Sequence, residues 1–242
     1  MNELTETEKR FASAWFADPE APPGVDVNNP QHLPELRKLI KKTAYHEAGH
    51  YAARCFTKLD FSHVESISII PNEGTTGRMT YRRSFAESGL ESYPPPLQRS
   101  NGRMLLLEQL AGVGSQILID QADGYESIMT YMEEEYWCNE EDTTTDFSRA
   151  LRIARIIAKT YMPASRILNM AEKWTMEMLR ISAVWNAVEI VAGKLIEHGE
   201  IAAEDLDGIG CDSDFPSIYN LPKWRRRISY TPAELEKYVE RA

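Results

Sequence analysis

In the stretch Thr43-Ala44-Tyr45-His46-Glu47-Ala48-Gly49-His50, two histidines stand four residues apart and a glutamate follows the first. On a helix, positions i and i+4 share a face, so His46 and His50 can each turn a nitrogen toward one ion at about 2.0–2.1 Å. Glu47 then lies beside the ion without ligating it, the place for a general base that takes a proton from activated water. Such an H-E-x-x-H string arises by chance in a chain of this composition with a probability on the order of one per cent. The plain alternative is a helix with two surface or capping histidines one turn apart.

A catalytic zinc needs a third protein ligand and an open position. His63 opens an expected strand and His198 precedes Gly199 at an expected helix end, so both fit exposed or capping roles better than ligation. Carboxylates are the better candidates. Asp146 follows Thr143-Thr144-Thr145 at the start of a helix, where a first-turn acid is also favoured by the helix dipole, and spacing alone does not choose between those roles. Asp142 is the next acid in line.

The elements that must position these groups follow from periodicity. A short helix over residues 4–16 is stopped by Asp18-Pro19-Glu20-Ala21-Pro22-Pro23-Gly24, and residues 1–33 read as an arm or linker. From Pro34 one long helix runs to about residue 56, its apolar stripe made by Leu36, Leu39, Ile40, Ala44, Ala48, Ala52 and Cys55. His46 and His50 fall on a different face. Residues 63–71 and 77–83 read as two strands joined by Asn72-Glu73-Gly74-Thr75-Thr76. Residues 100–119 form an apolar helix whose Ala111, Gly112, Gly114 and Ser115 let another backbone come close. An acidic, aromatic insertion spans 120–142. Helices at 147–162, 164–180 and 182–197 make the second half helical, and 211–242 is an extended tail with a short helix near Thr231.

The chain of 242 residues is long enough for one domain with its own core. Its three cysteines, Cys55, Cys138 and Cys211, include no C-x-x-C pair, which suits a reducing compartment and leaves any metal to histidines and carboxylates. A net charge of −10 excludes sequence-independent nucleic-acid binding, because neutralising phosphates needs a basic surface. The acidic start and the lack of a long apolar run predict no secretory signal and no membrane span, hence a cytoplasmic location.

Four ordered segments together are similar to one family. Ala44 to His50 resembles the zinc-binding helix of the peptidase domain of FtsH-type membrane AAA proteases. "VESISIIPNEGTTGRMTY" is similar to that domain's strand, Ile-Ile-Pro turn and second strand, "LLLEQLAGVGSQIL" to its Leu-Ala-Gly helix, and "TTTDFSRALRIARIIAKTYM" to its threonine-rich turn and Asp-x-x-Arg-Ala helix. The close of the helical half, "AVEIVAGKLIEHGEIAAEDLDGI", resembles the end of the domain. The likeness covers roughly residues 35 to 210.

The resemblance implies a mainly α fold of the FtsH-type metallopeptidase, occupying 34–210, with a long zinc-binding helix, a small β element and a helical C-terminal half. It makes His46, His50 and Asp146 the ligands of a zinc ion and Glu47 the base. It also implies that the strand Gly77, Arg78, Met79, Thr80 and Tyr81 offers its backbone edge to a peptide or unfolded protein substrate. The family forms rings through its peptidase domains, so a homo-oligomer is an expected partner state.

Departures bear on activity. The 242 residues contain neither a G-x-x-x-x-G-K-[ST] phosphate loop nor a membrane helix, so a stand-alone peptidase is expected. After Ala111-Gly112 the family continues with Arg and paired acids, whereas this chain has Val113, Gly114, Ser115, Gln116 and Ile117. The alternatives are an inactive pseudoprotease serving as a binding or regulatory module, and a peptidase subunit working with a separate ATPase.

Overall fold

In a computed structural model of the chain, the residues described are 4–17, 32–58, 64–72, 77–81, 87–120, 127–130, 145–161, 163–210, 215–219 and 221. Seven helices and three short strands are described here, so the architecture is mainly helical.

The first helix, α1 (Glu6–Ala17), is fixed at its start by reciprocal hydrogen bonds. The Glu8 N–H donates to Thr5 Oγ1 at 3.1 Å and the Thr5 N–H donates to Glu8 Oε2 at 2.8 Å, a capping box of the T-x-x-E type. Phe11 and Trp15, one turn apart, stack at 5.8 Å and are buried in the same core as the later helices. The part of the expected arm at 4–17 is therefore packed helix; residues 18–31 lie outside the described residues.

Helix α2 (Leu33–Thr57) opens with a proline in its first turn, where a missing N–H leaves no helical bond unmade. It ends at Lys58, whose φ of 50° is left-handed and whose N–H closes on the Arg54 carbonyl at 3.0 Å. Of the expected stripe, Leu36, Ile40, Ala44, Ala48, Ala52 and Cys55 are buried and Leu39 is partly so. From Glu47 to Ala53 every residue is buried, because the helices Pro95–Ile119 and Ser182–His198 pack against α2.

Strands β1 (Val64–Ser68) and β2 (Arg78–Tyr81) pair antiparallel, with Ile67 opposite Met79. A third strand, β3 (Glu200–Ala202), pairs antiparallel on the other side of β1, Ile67 facing Ile201, so the sheet order is β2-β1-β3. Ile67 and Ile201 point into the helices. Strand β3 is additional to the two strands expected from the sequence and only three residues long; the left-handed Gly199, with φ of 79°, turns the chain into it from the helix that ends at His198.

A 3-10 helix (Glu87–Ser92) leads to α3 (Pro95–Ile119). This helix begins ahead of the expected Ser100, since Pro95 is compatible with a first helical turn. Helices α4 (Asp146–Tyr161), α5 (Ala164–Leu179) and α6 (Ser182–His198) complete the helical half, followed by a single turn, α7 (Ala203–Leu206). Segments beyond α7 close over α2: Tyr51 Oη donates to the Ile209 carbonyl at 2.8 Å, and the Ile218 N–H to the Phe56 carbonyl at 2.9 Å. Among the described residues no helix is long and apolar enough to cross a membrane.

Candidate metal centre

The site is built where α2, α3 and the start of α4 meet. Gly49 of α2 lies against the Ala111 carbonyl and Ser115 Oγ of α3, so the two backbones come closer than any side chain at Gly49 would allow. One turn along, Gly112 leaves room for the imidazoles: a methyl there would sit 2.5 Å from His50 Nε2 and 2.7 Å from His46 Nε2. The small residues of α3 thus serve the α2 crossing and the site at once. Helix α4 starts where it does because Thr145 Oγ1 accepts the Ser148 N–H at 3.2 Å, which puts Asp146 in the first turn and its carboxylate over the two histidines.

Asp146 Oδ2 lies 2.9 Å from His46 Nε2 and 3.0 Å from His50 Nε2, and the two Nε2 atoms are 3.0 Å apart. Three potential ligand atoms therefore form a nearly equilateral triangle, contributed by residues a hundred positions apart. The His50 Nδ1–H donates to the main-chain carbonyl of Glu108 at 2.7 Å. In a neutral His50 ring that proton leaves a bare lone pair on Nε2, facing a carboxylate oxygen and a second imidazole. That lone pair and those of Asp146 Oδ2 repel unless a proton or a metal cation stands between them.

A proton meets that need in part. Burial would lower the His50 pKa, but the Asp146 carboxylate, with Glu47 and the Glu108 carbonyl, outweighs it and the pKa is pushed up to about 9. Burial would likewise raise the Asp146 pKa, and the two imidazoles instead hold its carboxyl well below the usual carboxylate range. A metal ion satisfies all three donors together. Tetrahedral coordination at about 2.0–2.1 Å sets donors roughly 3.3 Å apart, close to the spacing seen, so the donor set fits a divalent ion of zinc's size. His46 Nδ1 is buried without a hydrogen-bond partner.

Glu47 points elsewhere. Its carboxylate lies over Gly77, where any side chain would come within 2.5 Å of Oε1, so the base candidate abuts the start of β2. Burial raises the Glu47 pKa, Asp146 adding to it while His46, His50 and Arg149 oppose. Arg149, one turn beyond Asp146 on α4, is the arginine of the Asp-x-x-Arg-Ala string, and its charge reaches Glu47.

Of the residues expected at the site, His46, His50 and Asp146 come together, and Glu47 adjoins them. Arg78, Met79, Thr80 and Tyr81 form β2, which among the described residues pairs with β1 on one side only. His198 is exposed at the end of α6, its ring 3.7 Å from Glu197, and has no part in the cluster. His63 and Asp142 lie outside the described residues, as does all of the 120–142 insertion except Asp120 and 127–130. Two further residues went unnoticed in the sequence: Glu108, whose carbonyl holds His50, and Arg54, whose Nη1 donates to Glu108 Oε1 at 2.8 Å. The available signal was a charge inside each of two apolar runs, "LLLEQL" and "AARCF".

No family model matches the chain, and no curated protein is found similar to it.

Proposed function

We propose that the chain is a zinc metallopeptidase related in fold and chemistry to the FtsH-type peptidase domain, acting on peptides or unfolded chains. One observation carries the reading: two histidines of an H-E-x-x-H helix and a distant aspartate converge to 3.0 Å or less, with the intervening glutamate buried beside them. The FtsH-like order of segments supports it, as does an edge strand that begins against the glutamate.

His46, His50 and Asp146 would hold the zinc, which when bound lowers the pKa of its water to about 7 and polarises a scissile carbonyl. Glu47 takes a proton at its carboxylate and delivers it to the leaving amine. The edge of β2 that has no partner strand among the described residues aligns an extended peptide through main-chain hydrogen bonds, which gives little selectivity for side chains. A second reading, an inactive binding module, draws on Val113 to Ile117 in place of Arg and paired acids, and on the unpartnered Nδ1 of His46.

The test is metal content paired with hydrolysis of an unfolded substrate. Purified protein should hold close to one zinc per chain, and His46→Ala or Asp146→Ala should lose most of it, each removing one of three protein ligands. Wild-type metal content in Asp146→Ala would reject Asp146 as a ligand. Zinc-loaded protein that cleaves no unfolded substrate across a broad panel would favour the binding module.

A further inference from the structure

We infer that Arg54 and Glu108 act as a positioning clamp for His50, fixing which nitrogen of that ring faces the metal. The inference rests on the metal-site reading above and concerns residues outside the ligand set. Along α2, His46, His50 and Arg54 follow one another at four-residue intervals, so the guanidinium lies one turn beyond the second histidine on the same face. Its Nη1 donates to Glu108 Oε1 at 2.8 Å, and the side chains are only 11 % and 5 % exposed. Glu108 therefore meets α2 twice: its side chain takes Arg54, and its main-chain carbonyl takes the His50 Nδ1–H at 2.7 Å.

The second contact does the chemical work. An acceptor on Nδ1 keeps the proton there and leaves Nε2 as the donor atom, turned toward Asp146 Oδ2 at 3.0 Å. The first contact sets where that acceptor stands. A slip of α3 along α2 by one residue, about 1.5 Å, would draw the carbonyl out of hydrogen-bond reach of the ring. Close approach at Gly49 on the Ala111 carbonyl and at Gly112 on the imidazoles sets the spacing of the two helices. Two directional ion pairs oppose their sliding, Lys42 with Asp120 at 2.8 Å and Arg54 with Glu108, and only the second stands on the residue whose carbonyl holds His50.

Stability alone accounts poorly for the pair. Burying two charges and rejoining them gives little net stability, and replacing both by apolar groups of similar volume is often neutral or stabilising. A clamp and a purely structural pair therefore predict different behaviour. In Arg54→Met with Glu108→Leu, the zinc-free protein should melt within a few degrees of wild type, while zinc affinity, read by competition with a chelator, should fall about 10–100-fold. A double variant that keeps both its melting temperature and its zinc affinity overturns the clamp. If the double variant does not fold, Glu108→Gln, of nearly the same volume, carries the test. In its zinc-loaded form the His50 Nδ1 proton, followed by ring nitrogen NMR, should exchange with water at least tenfold faster than in wild type. Unchanged exchange overturns the clamp, as would zinc on Nδ1 of His50 in the wild type. A wild type that binds no zinc at all removes the metal-site reading itself and the clamp with it.

Discussion

Two carboxyl groups share this site and their surroundings drive them apart. Asp146 faces two imidazoles and stays ionised, while Glu47 is buried beside a glycine and has its pKa raised. Opposite shifts in neighbouring acids suit separate tasks, and the proposed function gives Asp146 that of ligand and Glu47 that of proton carrier. Glu47→Gln should consequently keep the zinc and the fold, since the amide has the same shape, but cannot accept the proton. Loss of a general base is typically 10²–10⁴-fold, about 3–5 kcal/mol of barrier, so kcat on an unfolded substrate should drop by that factor at unchanged metal content. A variant that cleaves as fast as wild type would falsify the mechanism. Gly112 makes a different point. Alanine is favoured over glycine in a helix interior by about 1 kcal/mol, yet a methyl at 112 would press on both Nε2 atoms. Gly112→Ala should fold with a melting temperature close to that of the wild type and lose zinc binding in a chelator competition. Retained affinity would mean that the imidazoles can move aside without leaving the ion.

At the scale of elements, legibility followed the strength of the local pattern. Helix α2 was readable from Pro34 and the stripe from Leu36 to Cys55 because amphipathic periodicity and a proline start coincide. The two first strands are readable in place; at one end the expected spans run on to residues 71 and 77, past the last ladder pair of Ser68 with Arg78, while at the other end residues 63, 82 and 83 lie outside the described residues. Strand β3 was not readable. Its three residues gain their form from pairing with β1, which lies more than a hundred positions earlier, and no local signal encodes that. The triad was half legible: helical spacing joins His46 to His50, whereas Asp146 could be placed only through resemblance, because the α3–α4 packing that brings it over α2 is tertiary. The same reason hid Glu108, whose contribution at the ring is a main-chain carbonyl and has no residue signature. Since β1 is the central strand and Ile67 is fully buried between its partners, Ile67→Ala should cost about 2–5 kcal/mol in denaturant unfolding. A cost under about 1 kcal/mol would mean that the sheet adds little to the core.

On the scale of the molecule, the ends of the described chain are stitched to the middle. Thr7 Oγ1 donates to the Glu197 carbonyl at 2.7 Å, Arg10 reaches the His198 carbonyl at 3.2 Å, and Glu8 pairs with Arg37 at 2.6 Å, so α1 ties the end of α6 to the start of α2. Glu8 is the titrating member of that seam. Burial would raise its pKa, but the hydrogen bond from Arg37, the capping bonds with Thr5 and the Arg37 charge together bring it below its ordinary value of 4.5. A carboxyl whose pKa is lower in the folded chain binds protons more readily when unfolded. Its contribution is thus complete above pH 4.5 and is lost as the pH falls through the depressed folded value. Glu8→Gln removes this titration without removing the volume, so the wild type should exceed the variant in melting temperature at pH 6 to 7. The two melting curves should then converge as the pH is taken below 4.5 and through the depressed folded value, where the wild-type carboxyl protonates. Measured as a difference between the two proteins, both zinc-free, the comparison cancels the titration of His46 and His50, which the two share. A gap between the two proteins that stays constant from pH 7 down to pH 3 would show that the Glu8 charge adds nothing and that α1 is held by its other contacts, the buried Phe11 and Trp15 and the hydrogen bonds of Thr7 and Arg10.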